Sequence, residues 1–238
     1  MKILVTNDDG IRAEGIKLLA KMAADFGEVT VVAPKNQCSA MSHRSTFLRP
    51  LTVEKVDDFP VEGVTAAYQV DGTPADCVKA AMEVLFDEKP DYVFSGINEG
   101  YNSGTEILYS GTVGAAMDSL IYGVPAIAWS VDFNKKYDAI RQYFHEICTE
   151  LLKRPLPRNQ IWNVNVPGVK GSEIRGIHYD RTPAVTPYYH DYYDVKTLED
   201  GTIQMNAIMG DPGEAPEGTD VEALKNGYIS VGTLKNII

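Results

Sequence analysis

The sequence predicts an α/β protein built on a mostly parallel, doubly wound sheet, with a β-hairpin excursion towards the carboxyl end. Two observations predict the sheet. Short apolar runs recur along the first two thirds of the chain, and segments with apolar residues at helical spacing stand between them. A third observation predicts the excursion: from about residue 168 the chain turns rich in Tyr, Pro and Gly, as in RTPAVTPYYHDYYD and GDPGEAPEGTD.

The elements follow in order. An apolar run at 3–5, a helical stripe of Ile16, Leu19, Ala20 and Ala23, and a second run at 29–33 make a strand, helix, strand unit. Thr73-Pro74-Ala75-Asp76 offers a capping Thr, a Pro at the first helical position and an acid in the first turn. A helix is therefore predicted to start at Thr73 and to carry Val78, Ala81, Met82 and Leu85 on one face. The runs at 92–94 and 124–129 read as buried strands. Ile140, Phe144, Ile147 and Leu151 form a helical stripe over 137–153 that stops before Pro155, and 162–166 reads as a further strand. Weak alternation around 195–209 predicts the hairpin, and 210–219 reads as a loop. The organisation expected is a metal- and phosphate-binding core at 1–167 and, at 168–238, an excursion of hairpin, loop and returning segment in oligomer contacts.

Composition bounds the function. The chain has 238 residues, 44% of them hydrophobic, enough to bury a full core. No apolar run approaches the roughly 18 residues that a membrane span needs, and MKILVTNDD runs straight into two acids rather than reading as a signal peptide. Cys38, Cys77 and Cys148 are odd in number and far apart, which fits packing residues with reduced thiols in a cytoplasm. Thirty-three acidic against 22 basic side chains give a net charge of -11 with no basic cluster, so long nucleic acid is not an expected partner. A small phosphate ester remains permitted, because one bound divalent cation reverses the sign of the field in a cleft.

In open parallel sheets ligands bind beyond the carboxyl ends of the strands. The first strand ends in Asn7-Asp8-Asp9-Gly10, where Gly10 permits a sharp turn that lets two adjacent acids converge. Such a pair repels itself unless a cation lies between its members. The alternative is that one Asp merely caps a helix starting near Ile11. Ser39, in the polar loop KNQCSAMSHRST after the second strand, can offer a hydroxyl. Asn98, ending SGIN, offers an amide carbonyl. Two carboxylates, a hydroxyl and a carbonyl select one hard divalent ion per subunit, Mg²⁺ or Mn²⁺, over structural zinc. The glycines in the segment holding Asn102 imply close backbone approach to a ligand. Ser110-Gly111-Thr112 opens a helix of small residues and reads as a phosphate cradle, the alternative being tight helix-to-sheet packing.

These residues resemble those of the SurE survival-protein nucleotidases, through TNDDG, AP followed by Ser39, GTPADCV, SGINEGYNSGTEILYSGTVGAA and NGYISV, spread over nearly the whole chain in the family's order. The resemblance implies a Rossmann-like core and an ion held by Asp8, Asp9, Ser39 and Asn98. It also implies release of phosphate from nucleoside 5′- and 3′-monophosphates, and a homodimer or homotetramer built through exchanged carboxyl-terminal segments; action on short polyphosphate stays open. Three places depart from the family pattern: Asp118-Ser119 stands where members often have Glu-Gly, the SAMSHRSTFLRP loop is not the commonest version, and GYISVGTL lacks the usual Pro after SV.

The mechanism expected is hydrolysis by a metal-activated water, with Asp8, Asp9 and Asn98 as the catalytic set and Ser110, Gly111, Thr112 and Asn102 on the phosphate. A covalent route through Asp8 is the runner-up, weakened by the lack of a second acid two residues on. His43 could donate a proton to the leaving group, but a loop His is more often a surface residue, and it stays outside the core assignment. Tyr188, Tyr189, Tyr192 and Tyr193 read as a subunit contact. Two rivals from other classes are a nucleotide-binding regulatory protein without turnover and a zinc hydrolase of another bond, which would want His ligands.

Overall fold

The computed structural model describes residues 1–210 and 213–237. In chain order the main elements are β1 (Lys2–Thr6), α1 (Glu14–Ala23), β2 (Glu28–Pro34), β3 (Val53–Lys55), β4 (Val64–Val70) and α2 (Pro74–Ala80), then β5 (Tyr92–Glu99), α3 (Gly111–Ser119), β6 (Ala126–Val131), α4 (Asp138–Lys153) and β7 (Gln160–Val166). The last part holds β8 (Ile177–Arg181), β9 (His190–Thr197), β10 (Ile203–Gly210), α5 (Asp220–Lys225) and β11 (Ile229–Lys235).

Nine strands form one sheet in the order β3-β4-β2-β1-β5-β6-β7-β11-β8. The six from β4 to β7 run parallel, while β3 is antiparallel to β4 at one edge and β11 is antiparallel to β7 and parallel to β8 at the other. Alternation along β1 sorts its side chains: Ile3 and Val5 face a layer containing Ile16, Leu19 and Phe144, and Leu4 faces one containing Val78, Val113 and Ala116. Helices α1 and α4 thus cover one face and α2 and α3 the other, the arrangement of a doubly wound, Rossmann-like fold. The first layer is filled by Phe94, Trp129 and Phe144, with ring centroids 4.6 Å apart for Trp129 and Phe144. Cys148 lies in that layer and Cys77 in the other, and all three cysteines are buried free thiols, as packing residues should be.

The predicted start at Thr73 is a reciprocal capping box: the Asp76 amide donates to Thr73 Oγ1 at 3.3 Å and the Thr73 amide to Asp76 Oδ2 at 2.9 Å. The strand expected at 124–129 sits two residues later. Val124 and Pro125 precede β6, because Pro cannot donate to a ladder from mid-strand. The helix after Gly10 starts at Glu14 behind Ala13, which makes no side-chain cap, so neither Asp8 nor Asp9 is a helix cap.

The hairpin is β9 with β10, a two-stranded antiparallel ribbon outside the main sheet. Of the loop expected at 210–219, residues 211 and 212 lie outside the described residues, Gly210 ends β10, and 213–218 is irregular or turn. Within 168–238, β8 and β11 belong to the nine-stranded sheet. Among the described residues no helix is long and apolar enough to cross a membrane.

Candidate functional site

The site begins with a turn. Asn7 staples the chain after β1, its Nδ2 donating to the Gly10 carbonyl at 3.0 Å and its Oδ1 accepting from the Gly10 amide at 3.2 Å. Gly10 takes φ +95°, a left-handed conformation open to glycine. Between them Asp8 and Asp9 stand at the carboxyl end of the sheet.

Asp8 is 3% exposed and sits at the amino terminus of α3. The Thr112 hydroxyl donates to its Oδ1 at 2.6 Å, and the backbone of Gly111 and Thr112 also favours its charge. Burial nevertheless dominates and raises its pKa above the usual carboxylate value. Asp9 is pushed up to about 6, chiefly by burial and then by the charge of Asp8. A close, partly buried carboxylate pair with raised proton affinity is a site that a cation would relieve.

The other strand ends converge on this pair. Gln37 Nε2 donates to Asp9 Oδ1 at 3.4 Å and to Ser39 Oγ at 3.0 Å, bringing the loop after β2 to the acids. The Cys38 amide donates to the Asp8 carbonyl at 2.7 Å. From β5, the Glu99 amide donates to Asp9 Oδ2 at 3.4 Å, so Asn98 lies one residue from the pair. Asn98 Nδ2 is held by the Gly100 carbonyl at 2.7 Å, which leaves the amide oxygen as the group on offer. Among the described residues no three His, Cys, Asp or Glu side chains cluster as metal ligands. The donor set for an ion is thus two carboxylates with neutral oxygens, which fits a hard cation that retains waters.

The cradle residues are less free than the sequence implies. Ser110 caps α3, accepting from the Val113 amide at 3.0 Å, and the Thr112 hydroxyl is given to Asp8. Small size is required at Gly111 because a Cβ there would lie 2.9 Å from Asp8 Cβ and 3.2 Å from Pro74. Asn102 is tied to the ladder partner of Asn98. It is 4% exposed, its Nδ2 donates to Ser130 Oγ at 2.8 Å, its amide donates to Asn165 at 2.8 Å, and its carbonyl accepts from Asn163 and Asn165. These bonds place it in a polar network on β6 and β7. Gly100 faces the Phe133 ring and Gly104 the Thr186 backbone.

His43 engages Asp118 Oδ1 of α3 at 3.0 Å and ties the Ser39 loop to that helix. The tyrosine cluster divides. Tyr188 and Tyr189 pack on Tyr101 inside the subunit, whereas Tyr192 and Tyr193 are more than half exposed on β9.

Sequence reasoning missed Gln37, Glu99, Lys135 and Tyr137. Glu99 accepts from the Tyr137 hydroxyl at 2.7 Å and pairs with Lys135, whose charge also lies near Asp9. The signal was available, since Lys135 and Tyr137 follow the carboxyl end of β6, where the same rule that found Asn98 directs attention.

Known proteins resemble this chain in sequence and fold. A profile of the family described as Survival protein SurE matches residues 3–189. A protein of Thermoanaerobacter sp. (strain X514) named 5′-nucleotidase SurE is 40% identical over 239 residues, covering 97% of this chain and 90% of that protein. One of the same name from Trichormus variabilis is 39% identical over 248 residues, covering 99% of this chain and 92% of that one. The crystal structure of SurE protein from Aquifex aeolicus matches with a TM-score of 0.86 at 36% identity, over 100% of this chain and 95% of that chain.

Proposed function

Because the chain belongs to the SurE survival-protein family, we propose that it is a phosphoric monoester hydrolase that releases phosphate from nucleoside 5′- and 3′-monophosphates. The observation that carries the reading is the convergence of Asp8, Asp9, the Ser39 loop and β5 beside the amino terminus of α3. One divalent ion, Mg²⁺ or Mn²⁺, would be held by Asp8, Asp9, Ser39 and Asn98. When bound, it would neutralise charge on the phosphoryl group and make a water nucleophilic near neutral pH.

The chain's own groups do the rest. Thr112 fixes the carboxylate of Asp8, so its position does not depend on substrate. Asp9, the less buried of the pair, orients the attacking water and takes its proton. The first turn of α3, at Ser110, Gly111 and Thr112, lies against Asp8 and so stands where the phosphoryl oxygens would meet the positive end of the helix. Asn102 acts at one remove, holding the segment after Asn98 in place. A binding role without turnover is disfavoured, because a site that only held phosphate would avoid the negative charge of two adjacent carboxylates.

A cytoplasmic homodimer or homotetramer completes the proposal. The β9–β10 ribbon exposes Tyr192, Tyr193, Val195, Ile203, Met205 and Ile208, each more than half accessible. A two-stranded ribbon with apolar residues in water is marginal alone, and a second subunit would cover it.

The test is phosphate release from nucleoside 5′- and 3′-monophosphates by metal-stripped protein, with Mg²⁺, Mn²⁺ or Zn²⁺ added back, alongside Asn98→Ala. Release that requires Mg²⁺ or Mn²⁺ and collapses in the variant is expected. Silence with every metal would overturn the hydrolase reading.

A further inference from the structure

A cavity of about 530 Å³ opens beside the candidate site, between the loop after β2 and the turn before α2. Its wall includes Gln37, Met41, Arg44, Phe47, Leu48 and Gly72. Gln37 is shared, because the same amide touches Asp9 and Ser39. The cavity therefore meets the candidate site at Gln37, and its volume is in the range of small-molecule sites.

The wall is held in place from behind. Thr46 and Ser45 donate to Asp76 Oδ1 at 3.0 and 3.1 Å, and the Arg44 carbonyl accepts from Thr73 Oγ1 at 2.6 Å, so the amino-terminal turn of α2 anchors the loop. Lys79 bonds Ser45 at 2.6 Å and stands 5.5 Å from the centre of the Phe47 ring. Yet Phe47 is 82% exposed and Leu48 fully so, an unusual outlay of apolar surface on an anchored loop. Arg49 is neutralised by Asp71, at 2.9 Å, but the Arg44 guanidinium has no hydrogen bond or ion pair among the described residues. An anchored loop thus presents an aromatic face and a free planar cation beside the acids.

We propose that this cavity takes the nucleoside of the substrate, with Phe47 and Arg44 as specificity-determining residues that face the base. The proposal rests on the nucleotidase reading and adds where the alcohol half of the ester lies. A purine or pyrimidine is a flat π system with acceptor edges, and an exposed ring and a guanidinium are the two groups that stack on one and bond the other. The opposite flank of the acids suits a base less well. There Tyr101, Tyr188, Tyr189 and Phe133 lie 4.7 to 5.9 Å apart, ring on ring, and their faces are already occupied by each other.

The test compares the wild type with Phe47→Ala and Arg44→Gln on nucleoside 5′-monophosphates and on glycerol phosphate, which has no base. Both positions are exposed, and unchanged far-UV circular dichroism checks the fold. The expected result is that the ratio of kcat/KM for nucleotide over glycerol phosphate falls about tenfold in each variant, through KM for the nucleotide. Irradiation of the wild type with 8-azidoadenosine should place the label within 41–49. A ratio that moves less than twofold, or a label on Tyr188 or Tyr189, overturns the proposal while leaving the nucleotidase reading standing. A wild type that hydrolyses glycerol phosphate but no nucleotide overturns both.

Discussion

Replacing Asp9 with Asn should make the metal-free protein more stable, although it removes a residue proposed for catalysis. Asp9 titrates at about 6 in the fold, against 3.8 for an ordinary Asp. At about 1.4 kcal/mol per tenfold change in proton affinity, holding that carboxylate ionised costs up to about 3 kcal/mol at neutral pH. Residual solvent contact screens part of it, so the gain expected from Asp9→Asn is about 1 to 3 kcal/mol. For a domain of this size that is a rise in Tm of roughly 3 to 9 °C. The raised value also fixes the sign with pH. Above pH 6 the charge is present in both folded and unfolded chains and the cost is full. As pH falls from about 6 towards 3.8 the folded chain binds the proton first, and the difference between wild type and variant vanishes. With Mg²⁺ or Mn²⁺ the order reverses. An ion at a hundred times its Kd stabilises the wild type by about 2.7 kcal/mol, and a variant that has lost a ligand gains little. The assay is a set of thermal melts of both proteins in EDTA from pH 4 to 8, repeated with added metal. An Asn variant that melts below the wild type in EDTA at pH 7.5, or that gains as much from metal as the wild type does, would refute the reasoning.

Three further outcomes are expected. Thr112→Val removes the hydroxyl that bonds Asp8 at 2.6 Å and should weaken Mn²⁺ binding by about 10- to 100-fold in a calorimetric titration, with the fold kept. Gly111→Ala drives a Cβ to within 3.0 Å of both Asp8 Cβ and Oδ2; displacement of that carboxylate should lower kcat/KM by about 100-fold in a phosphate-release assay. Asp220→Ala strips partners from the buried amides of Gly104, Ala184 and Val221, each 2.8 to 2.9 Å from its carboxylate, and should cost about 2 to 4 kcal/mol by urea unfolding.

The amino-acid sequence alone determined five of the six parallel strands, leaving β4 unread, and two of the site loops. Ile3, Leu4 and Val5 form a continuous apolar run because β1 is covered on both faces, and TPAD starts a helix because Thr73 and Asp76 cap each other within four residues. Asp8, Asp9 and Asn98 were legible because strand ends are where a parallel sheet exposes polar side chains. These are local signals, written in periods of 2 and 3.6 residues.

Only the tertiary structure decided the rest. β11 inserts between β7, to which it is antiparallel, and β8, to which it is parallel, a pairing that joins Ile229 to Ile177 and Ser230 to Asn165, and no local pattern encodes which strand a distant segment joins. The edge strand β3 is short and largely exposed, so it leaves no apolar signature. The same limit applies at the site. The Thr112 hydroxyl reads as a free group until the fold brings it to Asp8, 104 residues away. The Asn102 amide reads as a free group until Ser130, Asn163 and Asn165 close around it. Hydrogen bonds of short reach between residues far apart in sequence are set by packing, and side-chain roles that depend on them are fixed when the chain has folded.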